Sequence, residues 1–427
     1  MTSKFTVFIH LPGQHQATPA GLLDMVEDGS RVLQSTFIYG RQYVERQNRL
    51  AIDPLTLQLG SYTGSLGAVR EPPMTAQGRL TEFGGFRDAA PDGWGRRVIE
   101  NKLRRTGPLP ESVYLAHAGN NRMGALDFRD KPNSLPEVGL QAGSIDLEYL
   151  LEASDRVQAG ERLPGKLALL FTAGPSMGGA RPKAVISADE REWLAKFSAT
   201  DDRFDVPRVE YATMEMARAA GLFVPALRLE QVNNRSVMLI ERFDRERAVN
   251  GAMARRHFLS ALTMMAKHES ESATASYQDI ALAITQYGAH QAVRTDLAEL
   301  FKRMVYNILV NNNDDHLRNH GFLWDPAASG WRLSPLYDVV PMPVIAQTRY
   351  LHLGVGEQGR LATLENAMSK HGIFGLSRAE AANMIDNIAL VVREWKTYFD
   401  AAGVSEKDIA YMGDAIRHPR EAGWTAG

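Results

Sequence analysis

The chain has 427 residues, 44% of them hydrophobic and 23% charged, proportions typical of a globular protein with a sizeable core. Its 48 basic residues nearly balance 50 acidic ones, so the formal net charge of −2 excludes an overall field that would draw the protein onto nucleic acid. The absence of cysteine excludes disulfides, thiolate chemistry and zinc sites that contain cysteine. No uninterrupted apolar run reaches the ~18 residues that a membrane-spanning helix needs. We therefore expect no membrane span and a cytoplasmic location.

The first part of the chain is predicted to mix strands and helices. Residues 1–10 have no long apolar core and indicate a β-strand rather than a signal peptide. The turn-rich segment 86–95 precedes a predicted helix at 96–103. A second helix is predicted at 144–153, where acidic residues suit a helix N-terminus. These elements define an N-terminal mixed α/β domain at residues 1–165.

Beyond residue 165 the pattern changes to short strands followed by helices. A predicted helix begins at Pro207, and the chain is mostly helical past residue 250. The predicted strands of a small antiparallel sheet lie at 184–187, 193–197, 224–231 and 236–241. We therefore predict an α+β protein whose second domain, residues 166–427, has a small antiparallel sheet lobe at 166–245 and a mainly helical lobe at 246–427.

A dense polar cluster follows the clearest predicted helix of the chain. Apolar residues recur at three- and four-residue intervals between 297 and 309, and residues 311–319 then read NNNDDHLRN. Asp314 and Asn319 lie five positions apart, the separation of the catalytic Asp and the metal-binding Asn in the protein-kinase catalytic loop. This spacing indicates phosphoryl transfer.

A predicted hairpin carries the chain from this cluster to a second acidic residue, Asp338. Its strands lie at 321–324 and 331–333. In kinases a hairpin likewise separates the catalytic loop from the Asp that holds Mg²⁺ between the nucleotide phosphates. Mg²⁺ prefers oxygen ligands, which Asn319 and Asp338 supply, while Asp314 stays available to orient a substrate hydroxyl or accept its proton. We predict ATP and Mg²⁺ as cofactors.

A kinase also needs a cation on the phosphates and a backbone cradle over them. Lys196 lies in a predicted strand, a glycine-containing loop at 174–183 precedes it, and Glu210 in the next helix is a candidate partner for its ammonium group. Taken singly, such residues have simpler explanations: a common glycine turn, a solvated lysine, a helix-dipole partner at Glu210 or a structural histidine at His316. Their joint order favours a kinase.

The segments that carry this order resemble those of the HipA-like toxin kinases of bacteria. The matching segments are residues 176–183, 241–245, 314–319 and 337–338, together with 91–97 in the first domain. The resemblance implies a kinase-like fold related to lipid kinases in the second domain. It also implies Asp314 as catalytic base, Asn319 and Asp338 as Mg²⁺ ligands, and Lys196 on ATP phosphate.

The resemblance implies further ATP contacts and a regulatory serine. Ser176 matches the serine that such kinases autophosphorylate to expel the ATP loop, and a phosphate there would add charge and bulk beside the nucleotide. Asp315 stands where relatives also carry glycine. The full implied set of ATP-binding residues is Lys196, Ser176, Gly178, Gly179, Ala180, Lys183, Glu241, Phe243 and His316.

Kinases of this family phosphorylate an aminoacyl-tRNA synthetase and halt translation, and a helix-turn-helix antitoxin of the HipB type restrains them on operator DNA. The resemblance therefore implies a serine/threonine-protein kinase that acts as the toxin of a toxin–antitoxin pair and reaches DNA only through its antitoxin. Two alternatives stay open. One is a nucleotide-responsive corepressor with residual kinase activity, and the other is a small-molecule kinase, because the nucleotide residues do not specify the acceptor.

Overall fold

The computed structural model describes residues 1–59, 74–77, 80–135, 142–143, 146–164, 179–247, 251 and 253–425. The predicted domain boundary near residue 165, together with Ser176 and Gly178, lies outside these residues. None of the described helices is long and apolar enough to span a membrane.

Strands and helices alternate irregularly along the chain. The strands are β1 Thr2–Ile9, β2 Thr18–Asp28, β3 Arg31–Tyr39, β4 Met74–Gln77, β5 Leu126–Arg129, β6 Ala142–Gly143, β7 Lys183–Ala188, β8 Arg191–Lys196, β9 Leu227–Val232, β10 Arg235–Glu241, β11 Arg245–Arg247, β12 Met253–Arg255, β13 Phe258–Ser260, β14 Gly321–Asp325 and β15 Gly330–Leu333. The α-helices are α1 Arg41–Val44, α2 Gly84–Asp88, α3 Gly93–Leu103, α4 Glu111–His117, α5 Leu147–Gln158, α6 Val206–Ala219, α7 Ala261–Met264, α8 Tyr277–Tyr287, α9 Val293–Val310, α10 Leu364–Met368, α11 Arg378–Arg393, α12 Trp395–Ala401 and α13 Glu406–Met412.

The chain forms two compact units, and each unit is built from two separate stretches. The first unit contains Met1–Ala195 and Arg242–His268. The second contains Lys196–Glu241 and Glu269–Gly427. The chain therefore returns to the first unit after an initial passage through the second.

An antiparallel five-stranded sheet forms the beginning of the first unit, with the order β4-β3-β2-β1-β5. Exposed and buried residues alternate along much of β2, as expected for a sheet with one face on the core and one in solvent. Phe37 packs edge-on against Phe86 with ring centroids 5.2 Å apart. The strand predicted at residues 1–10 is confirmed as β1.

Helix α3 begins earlier than the helix predicted at 96–103, because Asp92 caps its N-terminus. The Asp92 side chain accepts a hydrogen bond from the backbone N–H of Gly95 at 2.8 Å, and the helix accordingly begins at Gly93. The helix predicted at 144–153 is also displaced and runs from Leu147 to Gln158.

One pair of strands in the first unit departs from the predicted antiparallel arrangement. Residues of β6 and β7 are parallel neighbours, with Ala142 opposite Ile186 and Gly143 opposite Ser187. A parallel pair needs a long crossover connection, and here that connection includes α5. The pairing was not visible in the sequence because β6 is only two residues long.

The first unit contains a buried ion network in the segment that begins at Arg242, directly after the end of β10. The side chains of Arg242 and Asp244 are fully buried, and the Arg242 Nη2 donates to Asp244 Oδ2 at 2.8 Å. Arg245 Nη1 donates to the same oxygen at 2.7 Å, and its Nε donates to Glu192 at 3.0 Å. Burial favours the protonated carboxyl, but the two arginines outweigh it and lower the pKa of Asp244 to about 2. Asp244 is therefore a permanently charged centre of this network.

Removing the charge of Asp244 is expected to destabilise the first unit strongly. Asp244→Asn leaves the buried guanidinium groups of Arg242 and Arg245 short of a carboxylate, a change that costs about 3 kcal/mol or more. Urea unfolding followed by near-ultraviolet circular dichroism measures the loss. Glu45→Gln, which removes an exposed ion pair with Arg41, is the control and should cost under about 0.5 kcal/mol. Equal stability of the two variants would contradict the prediction.

Buried His257 is expected to make the first unit sensitive to mild acid. Its Nε2–H donates to the Ile52 carbonyl at 2.7 Å, and burial lowers the pKa of the imidazole to about 4. The unfolded chain binds this proton near pH 6.5, so the stability contribution is present above that pH and is lost as pH falls towards 4. Histidine-selective NMR should give a titration midpoint near 4 in the folded protein. A titration midpoint of His257 near 6.5 in the folded protein would refute this prediction.

Helix α9 is the centre of the second unit. The residues whose spacing predicted it are all buried: Leu297, Leu300, Phe301, Met304, Val305, Ile308 and Leu309. Strands β9 and β10 pair antiparallel, and the turn between them places Asn233 and Asn234 at positive φ, a conformation that asparagine tolerates. The hairpin predicted before Asp338 is confirmed by the antiparallel pairing of β14 with β15.

Candidate functional site

The polar cluster begins where α9 ends. Asn311 caps the helix in the left-handed conformation, with φ of 53°. The chain then folds back on itself, since the His316 N–H donates to the Asp314 carbonyl at 2.9 Å. The Asn319 Nδ2 donates to the same carbonyl at 3.1 Å. An asparagine amide has one oxygen, and because its nitrogen is used here, that oxygen is the atom that could bind a cation.

Two neighbouring carboxylates in this loop have opposite surroundings. Asp314 is exposed, whereas Asp315 is only 3% exposed. Groups in solution can therefore reach the Asp314 carboxylate, whereas the Asp315 carboxylate is closed off from them. The structure thus distinguishes the two acids, which the sequence alone presents side by side.

The segment after the hairpin is fastened to this loop. The Tyr337 hydroxyl donates to the Arg318 carbonyl at 2.6 Å. The next residue, Asp338, has φ of 61°, which is unusual for a residue with a side chain. Its side chain is 33% exposed, so a cation in solution can reach the carboxylate.

Lys196 lies between two carboxylates of the second unit. Its Nζ donates to Glu210 Oε1 at 2.5 Å and to Asp338 Oδ1 at 3.0 Å. Burial disfavours the ammonium form, but Asp338 and Glu210 outweigh it and raise the pKa of Lys196 above its ordinary value. The side chain therefore presents a fixed positive charge. The structure brings together three predicted residues from β8, α6 and the segment after β15.

His316 contacts a second histidine that the sequence did not identify. The rings of His316 and His352 meet edge-to-face with centroids 6.0 Å apart. The Ser272 hydroxyl lies 3.1 Å from His352 Nε2 and accepts a hydrogen bond from the Leu317 N–H at 3.2 Å. Burial and the neighbouring His316 lower the pKa of His352. His352 and Ser272 come from distant segments without a motif, so no local pattern marks them.

Other predicted ATP-binding residues have structural contacts of their own. Glu241 ends β10 in the second unit, and its N–H donates to the Ala226 carbonyl at 2.9 Å. Phe243 belongs to the first unit, where its buried ring packs against Phe258 at 6.3 Å. Its side chain is therefore part of a hydrophobic core.

Gly179, Ala180 and Lys183 also lie in the first unit. The Lys183 side chain is 4% exposed, and its Nζ forms an ion pair with Asp92 at 2.7 Å. The Trp94 indole N–H donates to the Lys183 carbonyl at 2.9 Å. The segment at 91–97, noted for its resemblance, thus fastens the beginning of β7. The ammonium group of Lys183 is already paired within its own unit.

The donor set of the second unit suits a magnesium ion that also binds phosphate. Within the described residues there is no group of three or more His, Asp or Glu placed to hold a metal. Mg²⁺ in nucleotide sites usually takes one or two protein oxygens and completes its shell with phosphates and water. The oxygens of Asn319 and Asp338 are donors of this kind, and Lys196 is a cation of the kind that binds phosphate. The residue types of this unit therefore suit Mg²⁺-ATP.

Comparison with protein families finds a match whose range includes Lys196, Asn319 and Asp338. The model of the HipA-like C-terminal domain matches residues 175–395, about half of the chain. A curated protein of Sinorhizobium fredii named "Putative kinase Y4mE" is 26% identical over 390 residues, which are 83% of this chain and 85% of that protein. A second one, "Putative kinase Y4dM", is 23% identical over 423 residues, 93% of each chain.

Among solved structures, the HipA toxin of Shewanella oneidensis MR-1 is similar over almost the whole chain. That structure is a complex with HipB and its operator DNA. The TM-score is 0.64, with 15% identity, and the match covers 98% of this chain and 95% of that one. The likeness shows a shared fold. The prediction of a mixed α and β protein with a kinase-like fold is therefore confirmed.

Removal of the Glu210 carboxylate should make Lys196 more reactive. Glu210→Gln removes one of the two charges that raise the pKa of Lys196, so a larger fraction of the amine is unprotonated at pH 8.5 and acetylation is faster. Competitive isotope labelling with acetic anhydride, read by mass spectrometry, measures the rate at this lysine. Glu45→Gln is the control and should change nothing. A rate for Glu210→Gln equal to that of the unmodified protein would be evidence against the electrostatic assignment.

Proposed function

The chain belongs to the HipA-like family, and on that premise we propose that it is a kinase that transfers the γ-phosphoryl group of Mg²⁺-ATP to a serine or threonine of a protein. One observation carries this proposal. Lys196 is held between Glu210 and Asp338 in the same compact unit as Asp314 and Asn319. A fixed cation, two candidate metal ligands and an exposed carboxylate are the parts that phosphoryl transfer needs.

Each of these residues has a separate task in the proposed reaction. Bound Mg²⁺-ATP supplies the transferable phosphoryl group and a metal ion that neutralises its charge. Lys196 attracts the phosphates, and Glu210 fixes the position of its ammonium group. Asn319 and Asp338 would hold the metal ion. Asp314 accepts or orients the hydroxyl proton of the substrate, because it is the exposed acid of the loop.

We propose that the biological role is that of a toxin restrained by a HipB-type antitoxin. The Shewanella HipA in the similar structure is bound to HipB and operator DNA, which supports a partner of this kind. The formal net charge of −2 favours an indirect route to DNA through such a partner. The proposed target is a translation component such as an aminoacyl-tRNA synthetase, and Ser176 is the proposed site of autophosphorylation. Both assignments rest on the family resemblance.

The central prediction concerns Asp314. Asp314→Asn should lower kcat at least ~10²-fold, because proton transfer by a positioned side chain contributes about that much or more. The KM for ATP should change less than about twofold, since the phosphates are assigned to Lys196 and the metal ligands. Incubation with γ-labelled ATP and Mg²⁺, followed by mass spectrometry of the labelled residues, measures transfer to the chain itself. A phosphoproteome comparison of cells expressing each form identifies other acceptors.

Asp201→Asn is the matched control, because Asp201 is an exposed aspartate of the same unit. It should behave like the unmodified protein. Full activity of Asp314→Asn would overturn the assignment of the base. Labelling confined to small molecules would instead support a small-molecule kinase.

A further inference from the structure

A buried polar cluster is centred on Asp315, the residue that follows the exposed Asp314. Its three members, called the buried triad here, are Asp315, Tyr277 and His320, all of the second unit. Their exposed fractions are 3%, 0% and 1%. Asp315 Oδ2 accepts hydrogen bonds from the Tyr277 hydroxyl and from His320 Nε2, the latter at 3.0 Å. The rings of Tyr277 and His320 meet edge-to-face at 5.6 Å.

The buried triad is fastened to α9 by a chain of amides. Asn307 Nδ2 donates to the Tyr277 hydroxyl at 3.1 Å, and Asn312 Nδ2 donates to Asn307 Oδ1 at 3.2 Å. Both asparagines are almost fully buried. The Tyr277 N–H also donates to the Gly354 carbonyl at 3.0 Å, which fixes the start of α8. The position of Asp315 is therefore defined by rigid elements on several sides.

Burying a carboxylate is strongly unfavourable unless it is well paired. Burial alone would raise the pKa of Asp315, but His320 and Tyr277 outweigh it and hold the pKa below its ordinary value. The Nδ1 atom of His320 has no hydrogen-bond partner among the described residues, so the contact of Nε2 with Asp315 is what orients the ring. The pair is thus specific and mutually dependent.

The sequence positions of the pair relate it to the proposed chemistry. Asp315 directly follows Asp314, and His320 directly follows Asn319. The contact between Asp315 and His320 therefore joins the two ends of the loop that carries the proposed base, exposed Asp314, and a proposed metal ligand, Asn319, which is 4% exposed. A second contact between those ends uses the Asn319 side chain itself. The buried pair of Asp315 and His320 connects the same two ends without using either functional side chain, and this connection is called the tie below.

We propose that Asp315 and His320, held by Tyr277, are positioning residues that set the distance between Asp314 and Asn319. This inference rests on the proposed kinase function. A displacement of about 1 Å between reacting groups can cost ~10²-fold in rate, so a rigid tie at this place has a large kinetic effect. Loss of the tie should lower kcat by a larger factor than it raises the KM for ATP, because it displaces Asp314 and one of the two proposed metal ligands, whereas Lys196 and Asp338 lie outside it.

Conservative variants test the hydrogen bonds without opening a cavity. His320→Phe keeps the ring and its edge contact with Tyr277 but removes the N–H that Asp315 accepts. It should lower kcat at least ~30-fold and raise the KM for ATP by a clearly smaller factor. Asp315→Asn keeps an oxygen that can accept both bonds and should retain kcat within about fivefold. The double variant should be no slower than His320→Phe, because residues that act as a unit are not additive.

A control separates positioning from general stability. Glu299→Ala breaks a buried ion pair with Arg303 in the same unit and should lower the unfolding midpoint without lowering the kcat of the folded protein. If His320→Phe loses activity only in proportion to its unfolded fraction, as this control would, the inference is overturned.

Hydrogen exchange gives a readout that does not depend on activity. Backbone amides of residues 314–320 should exchange faster in His320→Phe than in the unmodified protein, while those of α9 change little. Unchanged exchange in this loop would overturn the inference even if the kinase were inactive. An inactive unmodified protein with faster exchange in His320→Phe would contradict the proposed function and leave the tie itself established.

Discussion

The ammonium group of Lys196 is in contact with carboxylates from two distant parts of the chain, Glu210 on α6 and Asp338 after the β14–β15 hairpin. Strand, helix and hairpin must all be in place before this contact can form. A buried cation with one partner missing is costly, so the three elements depend on each other energetically. The charge pattern at Lys196 therefore depends on residues that are far apart in the chain rather than on a single loop.

Much of the second unit could be predicted because its signals are local. The apolar spacing of α9, the proline at the beginning of α6 and the alternation of β14 and β15 each act within one element. The return of Arg242–His268 to the first unit could not be predicted, because it depends on long-range packing. The parallel pairing of β6 with β7 was missed because a strand of two residues leaves no periodic signal in the sequence. The early start of α3 reflects a capping bond that outweighed its turn-rich surroundings.

In the candidate site, too, residues within one motif could be predicted, whereas residues from distant segments could not. Asp314, Asn319 and Asp338 could be named from spacing, because metal-assisted phosphoryl transfer demands particular residue types in a particular order. Tyr277 and His352 could not, because each reaches the loop from a separate segment without a motif. The contact of Lys183 with ATP was implied by the family resemblance alone and stays a prediction. In the structure its ammonium group is paired with Asp92, 91 positions earlier in the chain, a contact that no local pattern indicates.

The backbone at Asp338 has a consequence for how this position can evolve. With φ of 61°, it occupies a region that glycine enters freely and that most side chains disfavour. Glycine would relieve this backbone strain, but it would also remove one of the two carboxylates that pair with Lys196. Asparagine tolerates the same backbone conformation and would keep the shape of the side chain while losing its charge. The ion pair therefore limits which residues this strained position can accept.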